Sequence, residues 1–219
     1  MNGFEALRRA GADLVAAGLS PGSSGNISVR VDDRLMISCT GAALGDLHRG
    51  DVAVLDLDGR ELDGARPSKE WPLHVAFYRR SRGHGAVVHV HSPSAVALAC
   101  VAPWAEHSAV PPLTPYFVMR VGQTPLLPYR PPGDPGLGDD LLAAPWEMNA
   151  ALLANHGQVV AAAGVADAVE RAVELEEACR VALATTGLPR RLLDADQVLE
   201  LARRWSSPWT IPAVGSVPG

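Results

Sequence analysis

Lysine is almost missing from this chain of 219 residues. Lys69 stands alone, arginine supplies the other basic side chains, and 24 acidic groups against 19 basic ones leave a net charge of -5. That balance offers no broad cationic surface, so nucleic acid is not an expected partner. Long apolar runs are missing too, since none approaches the ~20 residues that a membrane span needs. The opening stretch, MNGFEALRRAGADLVAAGLS, interleaves charges with apolar residues and reads as an amphipathic helix, not a signal peptide. Cysteine is scarce. Cys39, Cys100 and Cys179 are odd in number and far apart, which argues against a disulfide framework or a CxxC metal knuckle and points to a reducing cytoplasm.

What is present suffices for a sizeable core: 47% hydrophobic residues and 20% charged ones predict a single domain over residues 1–205 and a loosely held tail over 206–219. The first helix runs to about Leu19, with Phe4, Leu7, Leu14 and Val15 at helical spacing. Three short β-rich runs, ISVRV, RLMIS and DVAVLDL, then read as a meander with DDR and DLDG as turns. A second helix over LHVAFYRR is expected after Pro67, with Ser68 as its cap and Leu73, Ala76, Phe77 and Arg80 in register. Ser92-Pro93 suits the start of a third. Residues 111–136 are proline-rich and read as a long ordered loop, and ALLANHGQVVAAAG as two strands pinched at 155–157. A helix from Val165 to Thr186 is expected to bury Val169, Ala172, Val173 and Val181 and to pair Asp167 with Arg171 and Glu176 with Arg180. Helices at both ends of clustered strands predict a three-layer α/β/α domain around a largely antiparallel or mixed sheet.

Chemistry concentrates in a few places. In GAVVHVHS, a strand would set His89 and His91 on one face, where they can share a metal, share hydrogen bonds, or mark a strand end. His156, on the turn between two apolar strands, can project toward the same end of the sheet. Three histidines and an open position suit a catalytic divalent zinc, although cobalt, nickel, iron and manganese also take imidazole ligands. His48, His74, His84 and His107 show no such pairing and are read as structural. In PSKEW, Ser68, Lys69 and backbone amides would suit a phosphate or carboxylate, and Glu70 could be an acid or base near the metal; a capped helix with an acidic first turn is the alternative. Ser23-Ser24-Gly25-Asn26 and Thr40-Gly41 add hydroxyls and amides at strand ends, or are simply turns.

Taken together, GSSGNISVR, ISCTG, PSKEWPLH, VVHVHS and LLANHG occur in the order and spacing of the class II aldolase/adducin family, and the chain resembles that family over residues 3–205. The resemblance implies that His89, His91 and His156 are zinc ligands, that Glu70 is the catalytic acid/base, and that Asn26, Thr40, Gly41 and Ser68 hold a phosphate. Lys69 stands where the aldolases have a second serine. Tyr116 matches a tyrosine that reaches a neighbouring subunit's site, which implies a homotetramer with sites at subunit interfaces. Within the family, RPSKE, LTPYFVMRVGQTPLLPYRPPGDP and LLANHGQVV resemble the 3-oxo-tetronate 4-phosphate decarboxylases. The implied activity is zinc-dependent decarboxylation of a phosphorylated sugar acid to dihydroxyacetone phosphate and CO2 through a metal-stabilised enediolate. A sugar-phosphate aldolase or epimerase on the same scaffold, and a non-catalytic adducin-like binding module, remain open. So does a Schiff base at Lys69, a route that would leave the three histidines without a task.

Overall fold

The computed structural model describes residues 3–210. In chain order its elements are α1 (Gly3–Ala16), β1 (Asn26–Val31), β2 (Arg34–Ser38), β3 (Val52–Asp56), β4 (Glu61–Gly64), α2 (Trp71–Arg80), β5 (Ala86–Val90), α3 (Pro93–Leu98), β6 (Leu126–Leu127), α4 (Gly136–Ala143), β7 (Ala150–Leu153), β8 (Gly157–Ala162), α5 (Val165–Ala184) and α6 (Ala195–Trp205). The eight strands form one sheet in the order β4-β3-β2-β1-β5-β8-β7-β6, antiparallel except where β6 lies beside β7. This is the mixed sheet of a three-layer α/β/α fold.

Strand alternation builds the layers. Along β5, Ala86, Val88 and Val90 enter one core with residues of α1, α3, α5 and α6, while Val87 enters the other, against α2 and α4. Both faces of β5 are therefore covered, and the strand reads as an unbroken apolar run apart from its histidine. Each of these valines contributes about 1.5–3 kcal/mol on leaving water. On β1, Ile27 and Val29 join the first core, which leaves Asn26 and Ser28 facing α2.

Several expectations change. Val15 is 40% exposed and α1 stops at Ala16, because Ala10 and Gly11 complete its buried stripe instead. Ser68 does not cap α2. Glu70 occupies the cap position, and the Ser68 hydroxyl accepts the Glu70 amide at 3.3 Å in the preceding turn. On α5, Val173 is exposed and Leu175, Ala178 and Cys179 carry the buried face. The intrahelical pairs do not form as expected either: Arg180 bonds Glu177, and Arg171 turns its guanidinium to the carbonyl oxygens of Arg120 and Ala161. The proline-rich run holds a π-helical turn (Phe117–Val121) and the short strand β6. Residues 206–210 are docked and not loose: Trp209 packs edge-on to His107 and Phe117, and Gln123 binds Pro208 and Thr210 through backbone and side chain. The remainder of the expected tail, 211–219, lies outside the described residues.

Glu176 has a different task. Its carboxylate accepts the amides of Ser94 and Ala95 at 2.7 and 2.9 Å, satisfying the first turn of α3, while the Ser92 hydroxyl accepts from Gln158. A carboxylate on two orphan amides is a strong, charge-assisted contact. Glu176→Ala is expected to lower the stability by about 2 kcal/mol, measured as a lower urea midpoint at an unchanged slope.

Candidate metal centre and substrate cleft

The end of β5 meets two close neighbours. On one side, a Cβ at Gly25 would lie 2.7 Å from the His89 carbonyl oxygen, and on the other a Cβ at Gly157 would lie 2.6 Å from that of Val90. Only glycine lets both chains approach so closely. The approach seats His156, at the end of the β7–β8 hairpin, against the two histidines of the β5 end. Asn155 makes that hairpin possible with a left-handed φ of 58°.

The three rings then converge. Their centroids lie 4.7 to 4.9 Å apart, edge to face, and one ligand atom from each of Glu70, His89, His91 and His156 falls within 4.8 Å of all the others. Glu70 arrives from the start of α2, with its oxygens 3.3 Å from the Nε2 atoms of His89 and His156. The Nδ1–H of His89 donates to the Gln158 carbonyl at 2.8 Å, so a neutral ring turns the Nε2 lone pair toward the cluster. His91 Nε2 lies 3.1 Å from that same atom.

This donor set fits a divalent cation. Glu70 Oε1 and both ring nitrogens of His156 are buried without a hydrogen-bond partner. Nitrogen lone pairs and a carboxylate so close together need either extra protons or a cation between them. Without a cation, burial would push the Glu70 carboxyl up, but the charge of His89, the close approach of His156 and His89 at 3.3 Å and the hydrogen bond from Asn26 overcome this and hold it well below the usual carboxylate range. A metal ion would supply the positive charge that this arrangement calls for. Burial, reinforced by the charges of His89 and His156, pulls His91 down to about 4, leaving it in the neutral form that ligates metals.

Beside the cluster lies a cleft of about 260 Å³, and Asn26, Thr40, Gly41, Ser68, Lys69 and Glu70 all line it with His91. These residues come from four separate stretches of chain. The Lys69 amide donates to Thr40 Oγ1 at 3.1 Å, tying the turn after β2 to the turn before α2. Pro132 and Gly133 form a wall that the sequence reading did not single out. Gly133 rests on the stem of Lys69, where a Cβ would come within 2.9 Å of the lysine Cβ. The signal was the proline-rich run itself, whose shape no periodicity reveals. Tyr116 is not brought to this cleft: it is 55% exposed, with Arg120 over its ring at 5.5 Å.

A larger cavity of about 620 Å³ lies elsewhere, between the end of α2 and α6. Its Arg80 is already spent on the carbonyl oxygens of Leu141, Ala144 and Trp146, and its His84 on Phe77 and Asn149. Size alone does not make it the reactive centre. Of the four remaining histidines, His74 is the one that touches the cleft residues. It is fully buried against Asn26 and Ser28, and burial, aided by the charge of His89 and opposed by Glu70, brings it to about 3.

Among known proteins, residues 5–183 match the Class II Aldolase and Adducin N-terminal domain. The chain is 37% identical over 201 residues to a 3-oxo-tetronate 4-phosphate decarboxylase of Haemophilus influenzae, covering 91% of this chain and 96% of that protein. It is 30% identical to a 5-deoxy-D-ribulose 1-phosphate aldolase of Bacillus thuringiensis, covering 89% and 91%. The crystal structure of YgbL from Klebsiella pneumoniae superposes with a TM-score of 0.85 at 39% identity, over 91% of this chain and 97% of that one.

Proposed function

This chain belongs to the class II aldolase and adducin family and is a carbon–carbon lyase, and we propose that it decarboxylates a 3-oxo-tetronate 4-phosphate to dihydroxyacetone phosphate. The carrying observation is that four metal-ligating side chains, His89, His91, His156 and Glu70, converge at the edge of a cleft that also holds the sole lysine, Lys69. When bound there, zinc or another divalent cation supplies Lewis acidity toward the substrate oxygens.

In such a substrate the C1–C2 bond breaks, CO2 departs, and the electron pair left on C2 is taken up by the C3 carbonyl as an enediolate. Asn26, Thr40, Gly41 and Ser68 hold the phosphate through hydroxyl, amide and backbone donors. Lys69 attracts the carboxylate, and its place in the cleft supports decarboxylation over the aldol reading, because it presents a cation where the aldolases resembled here have a serine. A proton then reaches C2 from Glu70 or from Tyr116 of a neighbouring copy in a homotetramer. Glu70 is held as carboxylate, so it must first gain that proton. The surroundings of Tyr116, exposed and outside its own chain's cleft, fit a role across an interface.

The aldolase relative from Bacillus thuringiensis keeps a second reading in view: aldol cleavage of a sugar phosphate at the same centre. Both reactions leave the same electron pair beside a ketone, so one cleft can serve either. A reducing compartment such as the cytoplasm belongs to the proposal, since Cys39, Cys100 and Cys179 are free. Among the described residues no helix is long and apolar enough to cross a membrane. The test is CO2 release from the two C2 epimers of 3-oxo-tetronate 4-phosphate, with and without chelator. Release from one epimer that chelator stops and zinc restores is the expected result. No CO2 from either epimer, with condensation of dihydroxyacetone phosphate and an aldehyde, would establish the aldol reading instead.

A further inference from the structure

Glu70 at the cap of α2, and His74 and Tyr78 within it, stand at four-residue spacing, and the facing strand β1 carries Asn26 and Ser28 two residues apart. The two periods bring these five polar side chains into one buried line between helix and sheet. Tyr78 Oη lies 2.8 Å from Ser28 Oγ, Ser28 Oγ 2.7 Å from His74 Nδ1, His74 Nε2 2.5 Å from Asn26 Oδ1, and Asn26 Nδ2 2.8 Å from Glu70 Oε2. Every one of the four inner groups is 4% exposed or less.

The direction of each bond follows from the last. A carboxylate only accepts, so Asn26 must point its amide nitrogen at Glu70 and its oxygen at His74. His74 Nε2 must therefore donate. The neutral ring then has only a lone pair at Nδ1, so Ser28 donates to it and, with its single proton used, accepts from Tyr78. No member has a free choice. The line ends on the Glu70 oxygen that faces His89 Nε2 at 3.3 Å.

We infer that His74 is a positioning residue, locking the Asn26 amide so that it holds Glu70 turned toward the three-histidine cluster. This rests on the proposed metal-dependent lyase reading for its kinetic part, but not for its spectroscopic part. Neither Asn26 rotamer alone would do this, because a flipped amide sets oxygen against oxygen at Glu70. Groups that orient metal ligands from behind typically matter by ~10–100-fold in affinity or activity.

Two amide substitutions separate positioning from mere filling of space. In His74→Gln the side-chain nitrogen can occupy the place of Nε2 and still donate to Asn26. In His74→Asn the shorter amide reaches Ser28 but not Asn26. Each variant would be loaded with Co2+, and its visible absorption, cobalt affinity, thermal midpoint, and kcat and KM for CO2 release compared with the parent protein. H74Q is expected to keep the parent cobalt spectrum and a kcat within about fivefold. H74N is expected to shift the spectrum and lose about 10–100-fold in kcat, with KM within about threefold. Adding H74N to Asn26→Ala is expected to cause no further loss, because His74 acts through Asn26.

Equal behaviour of H74Q and H74N, or multiplicative losses in the double variant, would overturn the inference. So would parent protein that takes up no cobalt. If H74N does not fold, Asn26→Asp replaces it. That carboxylate can accept from His74 but cannot donate to Glu70, so a shifted cobalt spectrum is expected and an unchanged one would overturn the inference. A parent protein that binds cobalt but releases no CO2 would refute the proposed reaction, while the spectra would still decide the role of His74.

Discussion

His156→Ala is expected to empty the centre of its metal and to lower kcat/KM for CO2 release by about a thousandfold or more. The size follows from removing a Lewis acid worth several kcal/mol of transition-state charge stabilisation, at 1.36 kcal/mol per factor of ten. The geometry makes this substitution unusually clean. Neither ring nitrogen of His156 makes a hydrogen bond of good geometry, its 3.3 Å approach to Glu70 included, and the backbone bond that shapes its hairpin, from the His156 amide to Leu153, does not involve the side chain. The metal-free thermal midpoint should therefore move little, while metal content by atomic emission falls from about one ion per chain to near zero. Stoichiometric metal in the variant, with activity within tenfold of the parent, would remove His156 from the ligand set.

Glu70→Gln is the second large effect. Glutamine keeps the length and can still accept from Asn26, so the helix start and the buried line behind it survive. It lacks the negative charge, and with its oxygen on Asn26 it presents its amide nitrogen to His156, 3.3 Å from the other carboxylate oxygen. A loss of about 10²–10⁴ in kcat is expected, the usual range for an acid/base group, with KM changed much less. Zinc must be held at saturation in the assay, because the same carboxylate also contributes a ligand atom to the cluster. A kcat within tenfold under those conditions would relieve Glu70 of the proton-transfer role and leave Tyr116 as the candidate.

Much of this arrangement was readable in the linear chain, and the failures have identifiable physical causes. The HVH alternation and the ANHG turn each name a local geometry, and both local geometries formed: the β5 end with its paired rings, and the β7–β8 hairpin. Helix α4 was not legible, because GLGDDLLA has two glycines and a proline-rich approach; Leu137 and Leu141, buried in the α2 core, hold it helical. Strand β4 is exposed along its whole length and so shows no apolar alternation. Helix α6 does carry a local signal, the Asp194–Gln197 capping box. His74 escaped for a different reason. Its partners lie 46 and 48 positions away on β1, and pairing a four-residue helical period with a two-residue strand period requires knowing that the two elements face each other.

The solitary lysine has a practical corollary. Because Lys69 is the one ε-amine in the whole sequence and it borders the cleft, an amine-selective acylating reagent has a single side-chain amine to modify, sited where an anionic sugar acid would dock. Protection of that amine becomes a natural gauge of occupancy, free of the background that dozens of surface lysines would impose on most enzymes of this size.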